Sequence, residues 1–344
     1  MTSSLSRSSG SPLLEVNDLV QHFPGRRERI RDLRPEPIQA VRGVSFALET
    51  GRTLGLVGES GCGKSTVALS VLRLHEPTSG EIYFDGTDVR SLGGGELRRM
   101  RRRIQMVMQD PLSSLSPRKR IRTSILEPLD VHGIGTMAER QERVDYLLER
   151  VGLDTAIGRK LPHQLSGGQN QRVAIARALA LSPDLLILDE AVAALDVSVQ
   201  AQIINLLKEL QRDLGLSFLF ISHDLAVVKQ MCDRVAVMYL GTIVEENTSA
   251  ALFAAPQHPY TTALLSAIPV PDPIKEAERE QIVLIGDVPS PSDIPEGCAF
   301  RQRCPVGRDR PACREAEPEL VEASVGSGLA ACHFSGETFG PESA

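Results

Sequence analysis

Short, uninterrupted apolar runs punctuate the chain at Thr53–Val57 (TLGLV), Ile104–Met108 (IQMVM), Leu185–Leu188 (LLIL), Phe218–Ile221 (FLFI) and Val235–Met238 (VAVM). Runs this short, with no polar alternation, predict strands covered on both faces. Between them the apolar positions fall at helical spacing, as in Arg143–Val151 and Val199–Leu210. Strands alternating with helices predict an α/β layered fold. The segment 24–37 (PGRRERIRDLRPEP) suits neither class and predicts a charged surface loop between two early strands. Past residue 250 the pattern changes, since the last 94 residues hold 12 of the 22 prolines. Proline removes a backbone donor and stops helices, so a loop-rich tail is expected there.

Composition narrows the class. At 344 residues, 42% apolar and 24% charged, the chain has material for a sizeable core. A chain of this length buries roughly three quarters of its unfolded surface. The net charge of -6 argues against a dedicated nucleic-acid binder, which carries a basic excess. The run Arg98–Arg103 has no interleaved aromatics and is expected to be a solvated helix face. No apolar stretch is long enough to span a membrane, and the opening MTSSLSRSSGSP lacks the apolar core of a secretory signal. A soluble intracellular protein is expected.

The nonapeptide Gly58-Glu59-Ser60-Gly61-Cys62-Gly63-Lys64-Ser65-Thr66 fits G-x-x-x-x-G-K-S between the predicted strand TLGLV and the helical stretch VALSVLRLH. That context is what a phosphate-binding loop requires. Its glycines let backbone N–H groups turn toward phosphate oxygens, and the helix start adds partial positive charge. Lys64 is then expected on the β- and γ-phosphates, and the Ser65 hydroxyl on Mg²⁺. A glycine-rich turn with a chance lysine is the plainer alternative. LLILDE (185–190) ends a buried strand in two carboxylates, so that Asp189 can hold Mg²⁺ and Glu190 can deprotonate a water. Alone it would read as two solvated loop carboxylates. Leu165-Ser166-Gly167-Gly168-Gln169 opens a further helical stretch, NQRVAIARALAL, and offers a second anion site or a simple helix cap.

The phosphate loop, LSGGQ and LLILDE stand in the order and spacing of ABC transporters, and the chain resembles their nucleotide-binding subunit over roughly residues 13–250. The resemblance implies a P-loop ABC ATPase core: a mixed or parallel sheet with helices, a small β subdomain and a helical subdomain inserted at about 110–165. An ATPase domain over 1–250 and a C-terminal extension over 251–344 follow. Gln109 matches the glutamine loop that senses Mg²⁺ and the attacking water, Asp196 the loop crossing a dimer interface, and His223 the switch histidine on the γ-phosphate. Phe23 is the expected adenine-stacking ring, with His22 competing. Ala191-Val192-Ala193 and Asn170 depart from the usual family residues, but neither removes a phosphate ligand, a metal ligand or the base. An active site is expected.

His258-Pro259-Tyr260-Thr261, Gln109-Asp110-Pro111 and Asp196-Val197-Ser198-Val199-Gln200 resemble the oligopeptide/dipeptide importer branch, whose members also carry nickel or glycosides. The resemblance implies a subunit that hydrolyses ATP and powers peptide import, peripheral on the cytoplasmic face of the membrane. Its partners would be a second ATPase, favoured as a paralogue, two permeases and an extracytoplasmic binding protein, with no nucleic acid. Two such ATPases would sandwich ATP head to tail, each phosphate loop facing the partner's LSGGQ. A non-transport ABC ATPase acting on nucleic acid or ribosomes is the competing reading. Cys298, Cys304, Cys313 and Cys332 in the tail suit four-thiolate ligation, as zinc or iron–sulfur. The branch resemblance implies a [4Fe–4S] cluster, with zinc, or four reduced thiols, as alternatives.

Overall fold

The computed structural model describes residues 11–25, 37–269, 281–323 and 328–337. Most of the segment 24–37, expected as a charged loop, lies outside the described residues. Twelve strands are described in chain order: β1 Leu14–Phe23, β2 Ile38–Leu48, β3 Thr53–Val57, β4 Ser79–Phe84, β5 Thr87–Asp88 and β6 Ile104–Val107, then β7 Leu185–Asp189, β8 Ser217–Ser222, β9 Arg234–Tyr239, β10 Thr242–Thr248, β11 Val321–Glu322 and β12 Leu329–Ala330. The chain divides into two compact units, one mainly of residues 91–222 and one of residues 14–47, 54–90 and 223–344.

In the first unit β6, β7 and β8 run parallel, with Val107 opposite Leu188 and Asp189 opposite Ile221. Leu185, Leu186, Ile187 and Leu188 are fully buried, as a continuous apolar run requires. Burying each such side chain stabilises the fold by roughly 1.5–3 kcal/mol. The predicted strand at 104–108 is one residue shorter than expected, because Met108 is exposed where the chain leaves the sheet. Helices follow at Gly94–Arg103, Ile121–His132, Met137–Arg150, Gly167–Leu179 and Val197–Leu214. The helix Met137–Arg150 starts on a reciprocal cap, in which Thr136 Oγ1 accepts from the Glu139 N–H and Glu139 accepts from the Thr136 N–H.

The second unit has two layers of strands. One is an antiparallel sheet in the order β2-β1-β4-β5. Its β1 alternates buried and less buried positions and bulges between Asn17 and Val20, where Asp18 has φ 48°. In the other, β3 pairs parallel to β9, β9 antiparallel to β10, β10 antiparallel to β12, and β12 antiparallel to β11. The β9–β10 hairpin turns through Leu240 (φ 40°) and Gly241 (φ 84°), a two-residue turn with both φ positive. The chain after residue 250 packs within this unit: the Gln39 N–H donates to the Pro291 carbonyl (2.9 Å), and Arg42 pairs with Glu317 (2.7 Å).

Candidate active site

The phosphate loop leaves the carboxyl end of β3 and enters the helix Lys64–Val71. Two of its glycines are required by close packing. A Cβ on Gly58 would lie 2.1 Å from the Met238 carbonyl oxygen, and one on Gly63 would lie 2.2 Å from that of Ala40. Both also have positive φ, 153° and 106°, which side chains resist. Beneath the loop the Gly241 N–H donates to the Cys62 carbonyl (3.0 Å). Cys62 is buried, and that burial pushes its thiol above the usual range. Lys64 is 5% exposed, and its Nζ donates to the carbonyls of Gly58 and Glu59, both at 2.8 Å. The lysine therefore already lies along the inside of the loop, with its ammonium on carbonyl oxygens. Phe23, the last residue of β1, meets the His75 ring edge-on at 5.1 Å and is half-buried. His223 is exposed and precedes Asp224, which caps the helix Leu225–Met231 by accepting from the Ala226 N–H (2.9 Å).

In the first unit the ends of β6 and β7 carry three candidate groups. Because the strands are parallel, Gln109 and the Asp189–Glu190 pair leave from the same end. Gln109 is exposed and stands just before Asp110, which caps the short helix Pro111–Ser114 through the Leu112 N–H (2.9 Å). Asp189 is 9% exposed at the last position of β7. Glu190 follows in a left-handed conformation, φ 48°, with its N–H donating to the Ile221 carbonyl at 2.9 Å. Such a backbone at a non-glycine residue costs about 1–3 kcal/mol and concentrates at functional sites.

LSGGQ opens the helix Gly167–Leu179. Ser166 is its N-cap, accepting from the Gln169 N–H (3.3 Å), while Gln169 Oε1 accepts from the Ser166 N–H (3.1 Å). The cap and the candidate anion site are thus the same residues. The structure brings this segment beside the Asp196 loop: a Cβ on Gly167 would meet Leu195 at 3.7 Å, and one on Gly168 would meet Val199 at 2.5 Å. Asp196 caps the helix Val197–Leu214 by accepting from the Val199 N–H (2.9 Å) and the Ser198 hydroxyl (2.7 Å). Those donors, the Val199 N–H foremost, hold its carboxyl below the usual range. Asn170 is buried and donates to the Pro162 carbonyl at 3.0 Å, which ties the preceding turn to the helix. Ala191 and Val192 are buried too, while Ala193 beside them is exposed.

The tail does not assemble the metal centre expected at Cys298, Cys304, Cys313 and Cys332. Among the described residues no group of three or more His, Cys, Asp or Glu side chains is placed to hold a metal ion. Cys298, Cys304 and Cys313 are buried and Cys332 is partly so, all as free thiols. Burial disfavours the thiolate, pushing Cys298 up to about 12 and Cys332 up to about 11. Neutral thiols pack as small apolar side chains. The expected zinc or iron–sulfur ligation is therefore not seen among the described residues.

Sequence reasoning also missed a set of contacts on the loop. Tyr260 Oη accepts from the Glu59 N–H at 2.9 Å, and Arg303 forms a two-pronged pair with the Glu59 carboxylate at 2.7 and 3.0 Å. These partners are 201 and 244 residues apart in the chain, and no local pattern signals them.

A glycine-walled loop at a strand–helix junction, its lysine folded along it, and a buried strand ending in two carboxylates define a P-loop nucleoside triphosphatase. Residues 41–193 match the ABC transporter family, and residues 244–313 match the oligopeptide/dipeptide transporter C-terminal region. The chain is 50% identical over 323 residues to the oligopeptide transport ATP-binding protein AppF of Bacillus subtilis (strain 168), covering 94% of this chain and 97% of that protein. It therefore belongs to the ATP-binding subunits of ABC transporters, the family that its motifs resemble, and is an ABC-type ATPase. Among solved structures it is similar to cbiO1 of Clostridium perfringens, part of the ABC transporter complex cbiONQ, at 30% identity and a TM-score of 0.61 over 71% of this chain and 91% of that one. A dimer of the ATP-binding cassette MJ0796 in a post-hydrolysis state with ADP and Pi aligns at 30% identity and a TM-score of 0.61, over 69% of this chain and 98% of that chain. Among the described residues no helix is long and apolar enough to cross a membrane.

Proposed function

We propose that this chain powers the import of di- and oligopeptides as one of two ATPase subunits seated on the cytoplasmic face of a pair of membrane permeases. An extracytoplasmic binding protein supplies the cargo, and the second ATPase is a paralogue. Near-full-length similarity to an oligopeptide transport ATP-binding protein supports the cargo class, and the dimeric cassette supports the pairing.

Each candidate residue has a role toward the nucleotide. Loop N–H groups of Gly58, Ser60, Gly61, Cys62, Gly63, Lys64, Ser65 and Thr66 bind phosphate oxygens, while that of Glu59 is taken by Tyr260. Lys64 exchanges its two loop carbonyls for the β- and γ-phosphates. Phe23 covers one face of the adenine. Ser65, Gln109 and Asp189 offer hydroxyl, amide and carboxylate oxygens, the hard donors that suit Mg²⁺. When bound, that ion offsets the charge of the β- and γ-phosphates. Glu190 takes a proton from the attacking water, and His223 holds the γ-phosphate. Leu165, Ser166, Gly167, Gly168 and Gln169, with Asp196, contact the nucleotide of the partner ATPase, so that ATP draws the two subunits together through charge-assisted bonds. Hydrolysis removes that bridge.

The observation that carries this reading is Glu190, an acidic residue fixed in a left-handed backbone directly after the buried Asp189. Glu190→Gln keeps the shape and removes the base. It is expected to retain MgATP binding and nucleotide-dependent dimerisation while turnover falls at least about a hundredfold. Wild-type turnover in that variant assigns the base elsewhere. Purification of the tagged chain from its own membranes in mild detergent tests the assembly: two permeases and a second ATPase are expected to co-purify. A chain recovered alone argues for a non-transport ATPase.

A further inference from the structure

Residue 59 lies inside the phosphate loop and is gripped at three points. Its carbonyl accepts from Lys64 (2.8 Å), its N–H donates to Tyr260 Oη (2.9 Å), and its carboxylate takes both arms of the Arg303 guanidinium (2.7 and 3.0 Å). Two of the three grips come from the chain after residue 250. They are themselves firmly held. Tyr260, Tyr239 and Phe300 are each no more than 1% exposed and form a ring cluster with centroids 4.8–5.4 Å apart. Phe300 accepts the Arg303 N–H at 3.0 Å and so seats the turn Arg301–Arg303. The Arg303 guanidinium stands 5.9 Å from the Tyr239 ring, and its side chain is 8% exposed against 28% for Glu59. Behind Tyr260, the His258 and Gln257 N–H groups both donate to the buried Glu245 carboxylate at 2.8 Å.

A carboxylate is a costly neighbour for a triphosphate. Like charges a few ångströms apart in a half-buried setting repel appreciably, and screening there is weaker than in water. Lys64 meets residue 59 at its carbonyl, whereas Arg303 meets it at the carboxylate. A forked guanidinium pair both cancels the charge and fixes the direction of the side chain.

We propose that Arg303 is a positioning residue for the phosphate loop: it neutralises Glu59 and, with Tyr260, holds residue 59 so that the C-terminal extension sets the loop's affinity for a nucleoside triphosphate. The proposal rests on the reading of residues 58–66 as the nucleotide site. It makes the extension part of the ATPase machinery through a side chain that no motif contains.

The test uses the purified full chain and MgATP, with the dissociation constant measured by titration calorimetry for wild type, Arg303→Met, Glu59→Gln and the double variant. Arg303→Met leaves the carboxylate uncompensated and is expected to weaken MgATP about tenfold, less at high salt. The double variant has no carboxylate to repel the phosphates and is expected to return to within about threefold of wild type. Arg303→Lys, which keeps the charge but loses the fork, is expected to bind MgATP less tightly than wild type and more tightly than Arg303→Met. A merely structural brace would leave the double variant as weak as Arg303→Met, and that result overturns the proposal, as does unchanged affinity in Arg303→Met. Should Arg303→Met not fold, the same comparison is read on Arg303→Gln. Lys64→Ala separates the two levels. If it binds MgATP normally, the nucleotide site is misassigned. If it fails to bind while Arg303→Met binds normally, only the role of Arg303 falls.

Discussion

The helices at Lys64 and Gly167 both begin on glycine-rich turns, yet the turns are built in opposite ways. The first is walled in by backbone: Gly58 and Gly63 have carbonyl oxygens of Met238 and Ala40 where a Cβ would stand. Its lysine lies buried along it, and residue 59 is clamped by Tyr260 and Arg303. The second closes on itself, with Ser166 and Gln169 satisfying each other's N–H groups while both stay partly or wholly exposed. Gly167 has only a side-chain methyl at ordinary contact distance. A turn that binds phosphate within its own subunit needs its shape held before the ligand arrives, because any looseness is lost affinity. A turn that completes another subunit's site needs only to present its N–H groups outward.

The largest expected effect breaks or confirms this contrast directly. Gly63→Ala forces a side chain into a left-handed backbone and against a carbonyl oxygen, and MgATP affinity should fall about thirty- to a hundredfold. Gly167→Ala meets open contact at negative φ and replaces glycine in a helix. Stability should therefore change by less than about 1 kcal/mol, in the favourable direction. Equal damage from the two alanines, measured by calorimetry and denaturation, would remove the distinction.

A smaller effect concerns the support beneath the first turn. His258 is fully buried, its Nδ1 accepts from the Tyr260 N–H at 3.1 Å, and burial pushes the imidazole down to about 3. As pH falls below about 6.5 the unfolded chain gains a proton that the folded chain refuses until about 3. Stability should thus decline with pH through that window, by at most about 1.4 kcal/mol per pH unit. Burial raises the nearby Glu245 carboxyl, which adds stability as pH falls and so works in the opposite direction. His258→Asn can still cap the Tyr260 N–H, so the difference between its denaturation midpoints and those of wild type at pH 7.5 and 5 isolates the imidazole. A slope unchanged by the substitution would mean that His258 titrates normally.

The smallest effect tests the second turn. Ser166→Ala removes a cap worth about 1 kcal/mol, so the amide of Gln169 should exchange about fivefold faster with deuterium. Ser166→Asn should restore most of that protection. No change with alanine would show that the helix start is held by something other than its cap.

Much of this was open to reading along the chain. The runs TLGLV, LLIL, FLFI and VAVM all lie within observed strands, and the helical stretches 143–151 and 199–210 fall within Met137–Arg150 and Val197–Leu214 but for the capping residue Val151. Buried strands need uninterrupted apolar residues and exposed helices need a 3.6-residue stripe, so both announce themselves locally. The phosphate loop was equally plain, since its glycines are demanded at fixed offsets by one turn. Four cysteines within 35 residues, by contrast, suggested a ligand set that the described side chains do not form. Spacing shows which thiols are available, but the fold decides whether they are placed as ligands.

What periodicity settled was the strand–helix alternation, and what a local motif settled was the phosphate loop, because each depends on neighbours within a few residues; the family came from a resemblance carried by the order of the phosphate loop, LSGGQ and LLILDE. Tertiary structure alone brought Tyr260 and Arg303 onto Glu59, Met238 and Ala40 under the loop glycines, and Val199 against Gly168. Those contacts join residues from 23 to 244 positions apart, taking the Ala40–Gly63 spacing as 63 minus 40. They depend on which strands pair and which turns close, and a chain read in order holds no local record of either.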